Sequence, residues 1–345
     1  MSLEPRIRRE RTRLRALHAR FDRYQAIHRA VGFPLAVLQK YSDDQGRYLA
    51  ATVSYYVFFS IFPLLLVFTT VLGFVLRGHA KLQARIVGSA LGQFPVIGRE
   101  LVTHSLRGSV LALGLGLAVA LWAGLAAVLA AQAAMNQLWG IPFARRPGFL
   151  RARAGALGLL LTLGAGVIAA TVLAGAGTVG GRYAVGWKAA SIVLSTLLDF
   201  ALFWVSFWVL TDEDVSWRSL RLGAAAAAVG YEALQLTGGW YVGHVVRHAG
   251  NVYGTFALVI GLMSFIYLSV HMGLLAAEAN VVAVRRLWPR SFSLGFEEPP
   301  TPADVAALTQ LGRVEERRPD EEIDVALADG PPVVGAGPPT VADDR

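Results

Sequence analysis

The chain has 345 residues, of which 54% are hydrophobic and only 16% are charged, whereas soluble globular proteins average about 25% charged residues. Its mean hydropathy of +0.49 and several long apolar stretches exclude a soluble globular protein and predict an all-α, polytopic membrane protein. The absence of cysteine excludes a disulfide framework, a thiol nucleophile and a zinc–thiolate site.

Charge is distributed unevenly along the chain. From Glu297 onward, 12 acidic and 4 basic residues give a net charge of −8, so the first 296 residues carry +16. Positive charge beside apolar spans is typical of cytoplasmic loops that lie against anionic lipid. We therefore expect membrane lipids, with anionic lipid at the cytoplasmic face, as partners, and no nucleic acid.

The first 45 residues are predicted to form a basic, amphipathic cytoplasmic arm. Their apolar side chains recur at helical spacing, at Leu14, Leu17, Phe21, Tyr24, Ile27 and Val31. Arginines occupy many of the other positions. This pattern is typical of a helix that lies on the membrane surface. It fits equally well a helix that packs on the protein's own bundle.

Residues 46–290 are predicted to form a domain of six transmembrane helices. The predicted spans are 48–76, 109–135, 152–178, 187–211, 218–243 and 252–284. The first has no charged residue between Leu49 and Leu76, and about 20 apolar residues suffice to cross a bilayer.

Arginines in the loops predict the orientation of the domain. They are concentrated in the arm, in the second-to-third loop and after the last span, so the positive-inside rule predicts that both termini are cytoplasmic. The long 77–108 loop would then lie outside. Residues 291–345 are rich in acids, glycine and proline, which predicts a disordered cytoplasmic tail.

Several short segments resemble the YihY/virulence factor BrkB family. They are Leu49-Ala50-Ala51, Tyr55-Tyr56, Ser60, Phe62-Pro63-Leu64, Met135-Asn136-Gln137-Leu138-Trp139, Tyr253-Gly254-Thr255 and Glu278-Ala279-Asn280. The resemblance implies a six-helix protein of the bacterial inner membrane. It also implies transport of lipid or envelope material, in a family that has carried older ribonuclease and virulence labels.

Pro63 interrupts the polar, aromatic part of the first span. Proline removes the backbone hydrogen bond to the Phe59 carbonyl and bends the helix. The Ser60 hydroxyl is placed to donate a hydrogen bond to that carbonyl instead. One interpretation is a kinked helix that lines a cavity, with Tyr55 and Tyr56 near its mouth. The other is a structural kink packed in the bundle.

Three acids, Asp199, Glu232 and Glu278, fall inside predicted spans. A charged group at the bilayer centre costs roughly 2.5–3.5 kcal/mol, so these acids are expected to face the bundle or water. Glu278 lies near a span end and could simply reach the interface. Tyr267 and His271 share its helical face, and Gln235 lies on the same face as Glu232.

These residues predict a polar path through the membrane, although polar side chains between helices can also serve only as contacts that hold helices together. The candidate path residues are Tyr55, Tyr56, Ser60, Pro63, Asn136, Asp199, Glu232, Gln235, Tyr267, His271 and Glu278.

No catalytic, metal or cofactor site is predicted. His244 and His248 have the spacing of a zinc-binding helix, but Val245 stands where the general base would be, and no third ligand is evident. The older ribonuclease label is not supported, because the sequence shows no cluster of acids or histidines that would hold metal ions and orient water for hydrolysis. Three hypotheses remain, in this order: a translocator of lipid or other amphipathic envelope material, a non-catalytic scaffold that docks an envelope-assembly protein, and a membrane-bound enzyme.

Overall fold

The computed structural model describes residues 20–75, 110–176, 184–211, 215–241, 255–291 and 300–325. Within these ranges the regular structure is helical and contains no strand, which confirms the all-α fold. The predictions for Leu14 and Leu17, for the 77–108 loop and for His244 and His248 lie outside the described residues.

In the described part of the chain, six long helices follow a shorter helix, α1 (Arg29–Asp43). They are α2 (Gly46–Val75), α3 (Val110–Leu138), α4 (Phe149–Ala176), α5 (Ala184–Leu210), α6 (Arg221–Tyr241) and α7 (Thr255–Arg285). Each coincides with one predicted span. Of the described residues, Gly114–Leu138, Val193–Leu210 and Val259–Arg285 are long and apolar enough to cross a membrane. The protein is thus a polytopic helical membrane protein, and a count of six crossings stays a prediction.

Helix α7 occupies the centre of the bundle, where it packs against α6, α2, α1 and α3. Its contact with α6 is close, because a Cβ atom at Gly223 would collide with the carbonyl oxygen of Ala276. Asn280 fixes this contact. Its Oδ1 accepts a hydrogen bond from the Gly223 amide at 2.7 Å, and its Nδ2 donates to the Leu220 carbonyl at 3.1 Å. An amide in the first turn of α6, which has no intrahelical acceptor, is thereby satisfied.

One end of the bundle carries the α1–α2 junction, the α3–α4 loop and the residues that follow α7; we call it the termini face. Buried apolar side chains are concentrated here. They include Leu138, Trp139, Leu220, Val281 and Leu287, each at most 2% exposed.

The C-terminal segment contains a helix, α8 (Pro302–Arg313), where the composition predicted disorder. Thr301 and Asp304 form a reciprocal capping box at its start, with proline at the first turn. After α8, the Val314 and Glu316 carbonyls accept hydrogen bonds from the Phe143 and Ala144 amides, at 3.3 Å and 3.0 Å. The prediction of a disordered tail is therefore wrong for residues 302–325. Local capping and backbone pairing outweigh the acidic, proline-rich composition there.

Arg290 ties the chain ends to the bundle. Its guanidinium group is buried and lies 2.7 Å from Asp43 and 3.0 Å from Asp304. Asp304 also accepts a hydrogen bond from the Ser291 amide at 3.0 Å. Because Asp304 is fully buried, its charge depends on Arg290 for compensation.

Residues 20–27 are helical. They contact the segment around Arg290 through the side chain of Gln25. Gln25 is 2% exposed, and its Nε2 donates to the Arg290 carbonyl at 2.7 Å. Tyr24 and Ile27 are 50% and 78% exposed. The polar side of this segment therefore packs on the protein, while apolar side chains point outward.

Replacing Arg290 with methionine should release α8 from the bundle. Breaking a buried ion pair by removing one partner costs about 3–5 kcal/mol, and here Asp304 would be left buried without a cation. We expect faster tryptic cleavage between residues 300 and 325 in the reconstituted protein. Arg318→Met is the matched control, because Arg318 pairs with Asp320 on the exposed surface. Equal cleavage of both variants would contradict this role of Arg290.

Candidate functional site

A buried group of charges lies at the termini face, where α1, α3 and α7 meet. Lys40 is 1% exposed, Asp44 is 2% exposed and Glu278 is completely buried. The Lys40 ammonium donates to the Asp44 carboxylate and, at 3.1 Å, to the Leu138 carbonyl. Burial raises the pKa of Asp44 above its ordinary value, and the neighbouring Lys40 opposes that rise.

The turn between α1 and α2 brings Asp44 to this position. Lys40 and Asp44 lie one helical turn apart, so their side chains meet on the same side of α1. Gln45 then adopts a left-handed backbone conformation with φ of 56° and reverses the chain. Gly46 lies against the Tyr41 ring, which a Cβ atom at residue 46 would strike.

A column of aromatic and imidazole groups continues from these charges along α7. The Tyr41 hydroxyl lies 2.8 Å from His271 Nδ1, and the two rings meet edge to face. The Tyr267 ring lies 5.7 Å from the His271 ring, centre to centre. Burial raises the pKa of Tyr41 well above its ordinary value, and nearby Tyr267 and Glu278 add to the effect. We call Lys40, Tyr41, Asp44, Tyr267, His271 and Glu278 the α1–α7 cluster.

A second polar group lies between α5 and α6. The Ser195 side chain is hydrogen-bonded to Glu232, and the Glu232 and Asp199 carboxylates lie close enough to interact electrostatically. Both acids are partly buried. Tyr231 lies close enough to Asp199 and Glu232 to interact electrostatically with both carboxyl groups. The centre of its ring lies 6.1 Å from that of the Phe203 ring on α5. We call Ser195, Asp199, Tyr231 and Glu232 the α5–α6 cluster.

The structure therefore divides the predicted path residues into groups. Tyr267, His271 and Glu278 lie in the α1–α7 cluster, and Asp199 and Glu232 lie in the α5–α6 cluster. The alternative interpretation, in which Glu278 reaches the interface, is wrong, because its side chain is enclosed by the junction of α1 and α7.

The remaining candidates lie elsewhere. Tyr55 and Tyr56 are exposed on α2, with their ring centres 5.6 Å apart. The Ser60 hydroxyl donates to the Val57 carbonyl at 2.8 Å. The prediction that it bonds to the Phe59 carbonyl, which Pro63 leaves without a donor, is therefore wrong. Asn136 is buried near the end of α3, and its Oδ1 has no hydrogen-bond partner in the described part of the chain. Gln235 is partly buried on α6.

Sequence reasoning missed Lys40, Tyr41 and Asp44. The i, i+4 spacing of Lys40 and Asp44 was a visible signal, but it is also typical of an exposed helical ion pair. Only the tertiary packing of α1 on α7 buries these side chains.

A cavity of about 620 Å³ opens at the termini face between the α3–α4 loop, the end of α7 and α8. Arginines and acids line it together, among them Arg145, Arg285, Glu316 and Asp320. None of the predicted path residues contributes to its wall. Across the described ranges, no group of three or more acidic, histidine or cysteine side chains has the geometry of a metal site.

Comparison with known proteins agrees with the membrane architecture. The chain is 22% identical to the inner membrane protein YhjD of Escherichia coli over 277 residues, which covers 73% of this chain and 81% of that protein. It is 27% identical to a UPF0761 membrane protein of Azotobacter vinelandii, covering 74% of this chain and 64% of the relative. No solved structure matches it. The virulence factor BrkB family matches residues 37–293, and the chain therefore belongs to this family of inner membrane proteins.

Proposed function

We propose that the protein translocates a lipid, or another amphipathic component of the envelope, along polar groups within its helical bundle. The observation that carries this proposal is the α5–α6 cluster. It contains two acids on facing helices, Asp199 in the membrane-spanning segment Val193–Leu210 and Glu232 in the predicted span on α6. In the described residues no lysine or arginine pairs with either one. Because ionisable groups are costly at such depth, they mark substrate or ion pathways by default.

The termini face is proposed to be cytoplasmic, which would place anionic lipid beside its arginines. Two features support this orientation. Arginines are concentrated in the arm, in the α3–α4 loop and after α7, in keeping with the positive-inside rule. The outward-facing Tyr24 and Ile27 of the 20–27 helix are suited to the headgroup boundary, as in other interfacial amphipathic helices.

A non-catalytic scaffold is the second candidate. The segment after α8 presents exposed ion pairs, Arg317 with Glu315 and Arg318 with Asp320. An ordered, charged surface of this kind favours the docking of an envelope-assembly protein on the termini face. We rank catalysis last, since the sequence offers no cluster of acids or histidines that would hold metal ions and orient water, and the described residues contain no group with the geometry of a metal site.

The translocation proposal predicts that Glu232→Gln and Asp199→Asn slow lipid movement. In liposomes that contain the reconstituted protein and a fluorescent anionic lipid, each variant should lower the initial rate of transbilayer movement by at least about tenfold, equivalent to about 1.4 kcal/mol in barrier height. The readout is the fraction of label that a membrane-impermeant quencher can reach over time.

Thr237→Val is the matched control for this assay. Thr237 is exposed on α6. Among the described residues its hydroxyl bonds only to its own helix, at Ala233 and Leu234, so its replacement should leave the rate unchanged. If the wild-type protein moves none of the labelled anionic, zwitterionic or glycosylated lipids, the translocator proposal is rejected and the scaffold becomes the better interpretation.

The proposed orientation can be tested with single cysteines, because the chain has none of its own. A membrane-impermeant thiol reagent applied to intact spheroplasts should leave Glu315→Cys unlabelled and should label Lys81→Cys in the predicted outer loop. Lysis should make Glu315→Cys reactive. Labelling of Glu315→Cys before lysis would reverse the assigned orientation.

A further inference from the structure

The α1–α7 cluster contains more buried acid than buried base. The Glu278 side chain lies within hydrogen-bonding range of Asp44. Lys40 is the buried cation that contacts Asp44 and interacts electrostatically with Glu278. Two carboxylates and one ammonium group would leave a net negative charge in a region shielded from water. An uncompensated buried charge is so costly that the group neutralises instead.

The surrounding charges do not supply the missing cation. The titratable and charged groups around the pair are Lys40, Tyr41 and Asp43 on α1, Arg47 at the start of α2, Tyr267 and His271 on α7, and Arg290 beyond it. Arg290 lies against Asp43 and Asp304. Arg47 is exposed to solvent, and the sequence of α3 holds no titratable residue.

Hydrogen bonding leads to the same conclusion. Neither Glu278 oxygen has a donor among the described residues. Two ionised carboxylates offer only acceptors, so their close approach becomes a hydrogen bond only when one of them carries a proton. Carboxyl pairs that share a site are known to retain one proton between them.

We propose that Asp44 and Glu278 form a proton-binding site that shares one proton between two carboxyl groups, and that uptake and release of this proton couple lipid movement to a transmembrane proton gradient. The coupling part rests on the translocation function proposed above. Each cycle converts one carboxylate to a carboxyl group and back, with no other bond made or broken. Tyr41 and His271, joined at 2.8 Å, extend from this site along α7 and provide groups that can relay the proton.

Infrared difference spectroscopy tests the proton site without any transport assay. With the full-length protein in lipid bilayers at neutral pH, the spectrum of wild type minus Glu278→Gln should show the C=O stretching band of a protonated carboxyl group, shifted in heavy water. Asp44→Asn should remove the same band, because Glu278 then ionises as the counter-charge of Lys40. If either variant fails to fold, the other still provides the measurement.

Glu316→Gln is the matched control for the spectra. Glu316 is a buried acid outside the α1–α7 cluster that accepts a hydrogen bond from the Ile323 amide at 3.2 Å, so its replacement should leave the carboxyl band of the Asp44–Glu278 pair in place. If the spectra of Glu278→Gln and Asp44→Asn retain the wild-type band, the shared proton is excluded.

Coupling is tested separately in liposomes with an imposed pH gradient. The gradient should change the wild-type rate of lipid movement at least severalfold, and Glu278→Gln should lose this response, so that the ratio of its rates with and without the gradient falls to unity. Glu316→Gln should respond as wild type does. A wild-type rate that ignores the gradient overturns the coupling. A carboxyl band together with no lipid movement at all overturns the proposed function and leaves the proton site standing.

Discussion

A charge that leaves water must meet an opposite charge, a proton or well-placed hydrogen bonds, and this constraint organises the termini face. Arg290 forms ion pairs with Asp43 and Asp304 and thereby connects α1, the segment that follows α7, and α8. Asn280 supplies both a donor and an acceptor to the start of α6. The hydrophobic effect does not drive helices together within lipid, because lipid tails are as apolar as leucine. Directional polar contacts at one end therefore add to van der Waals packing in determining which helices are neighbours.

The helical architecture could be predicted from the sequence because its main signal is local. Long uncharged stretches have few alternatives in a membrane, and their ends coincide with the arginine-rich loops. The connections at the termini face could not be predicted, since Arg290 and Asp43 are separated by 247 positions in the sequence. The sequence at Thr301 and Asp304 has the pattern of a helix capping box, but the composition of the surrounding tail predicts disorder. For a short segment, capping and docking decide the structure, whereas average composition does not.

The candidate site was predicted in part for the same reason. Tyr267, His271 and Glu278 lie on one face of α7 because seven residues make two helical turns, and spacing alone reveals that. Their partners on α1 follow from tertiary packing, which no local pattern encodes. Asp199 and Glu232 were each recognisable as acids within predicted spans, but their mutual proximity depends on how α5 meets α6. The prediction of one continuous path therefore becomes two clusters, each built between a different pair of helices.

Contacts between α6 and α7 bear on how the two clusters can work together. Near the termini face, Gly223 lies against the Ala276 carbonyl and is fixed by Asn280, so the helices have little freedom there. About two turns further along α6, Gly230 lies against the flexible thioether side chain of Met272, which adapts to displacement more readily than a backbone contact does. Any movement of α6 would then pivot about the Asn280 end. It would change the surroundings of Glu232 while leaving Asp44 and Glu278 in place, so the proton site would act on that movement through α7, which carries both Glu278 and the Asn280 contact to α6.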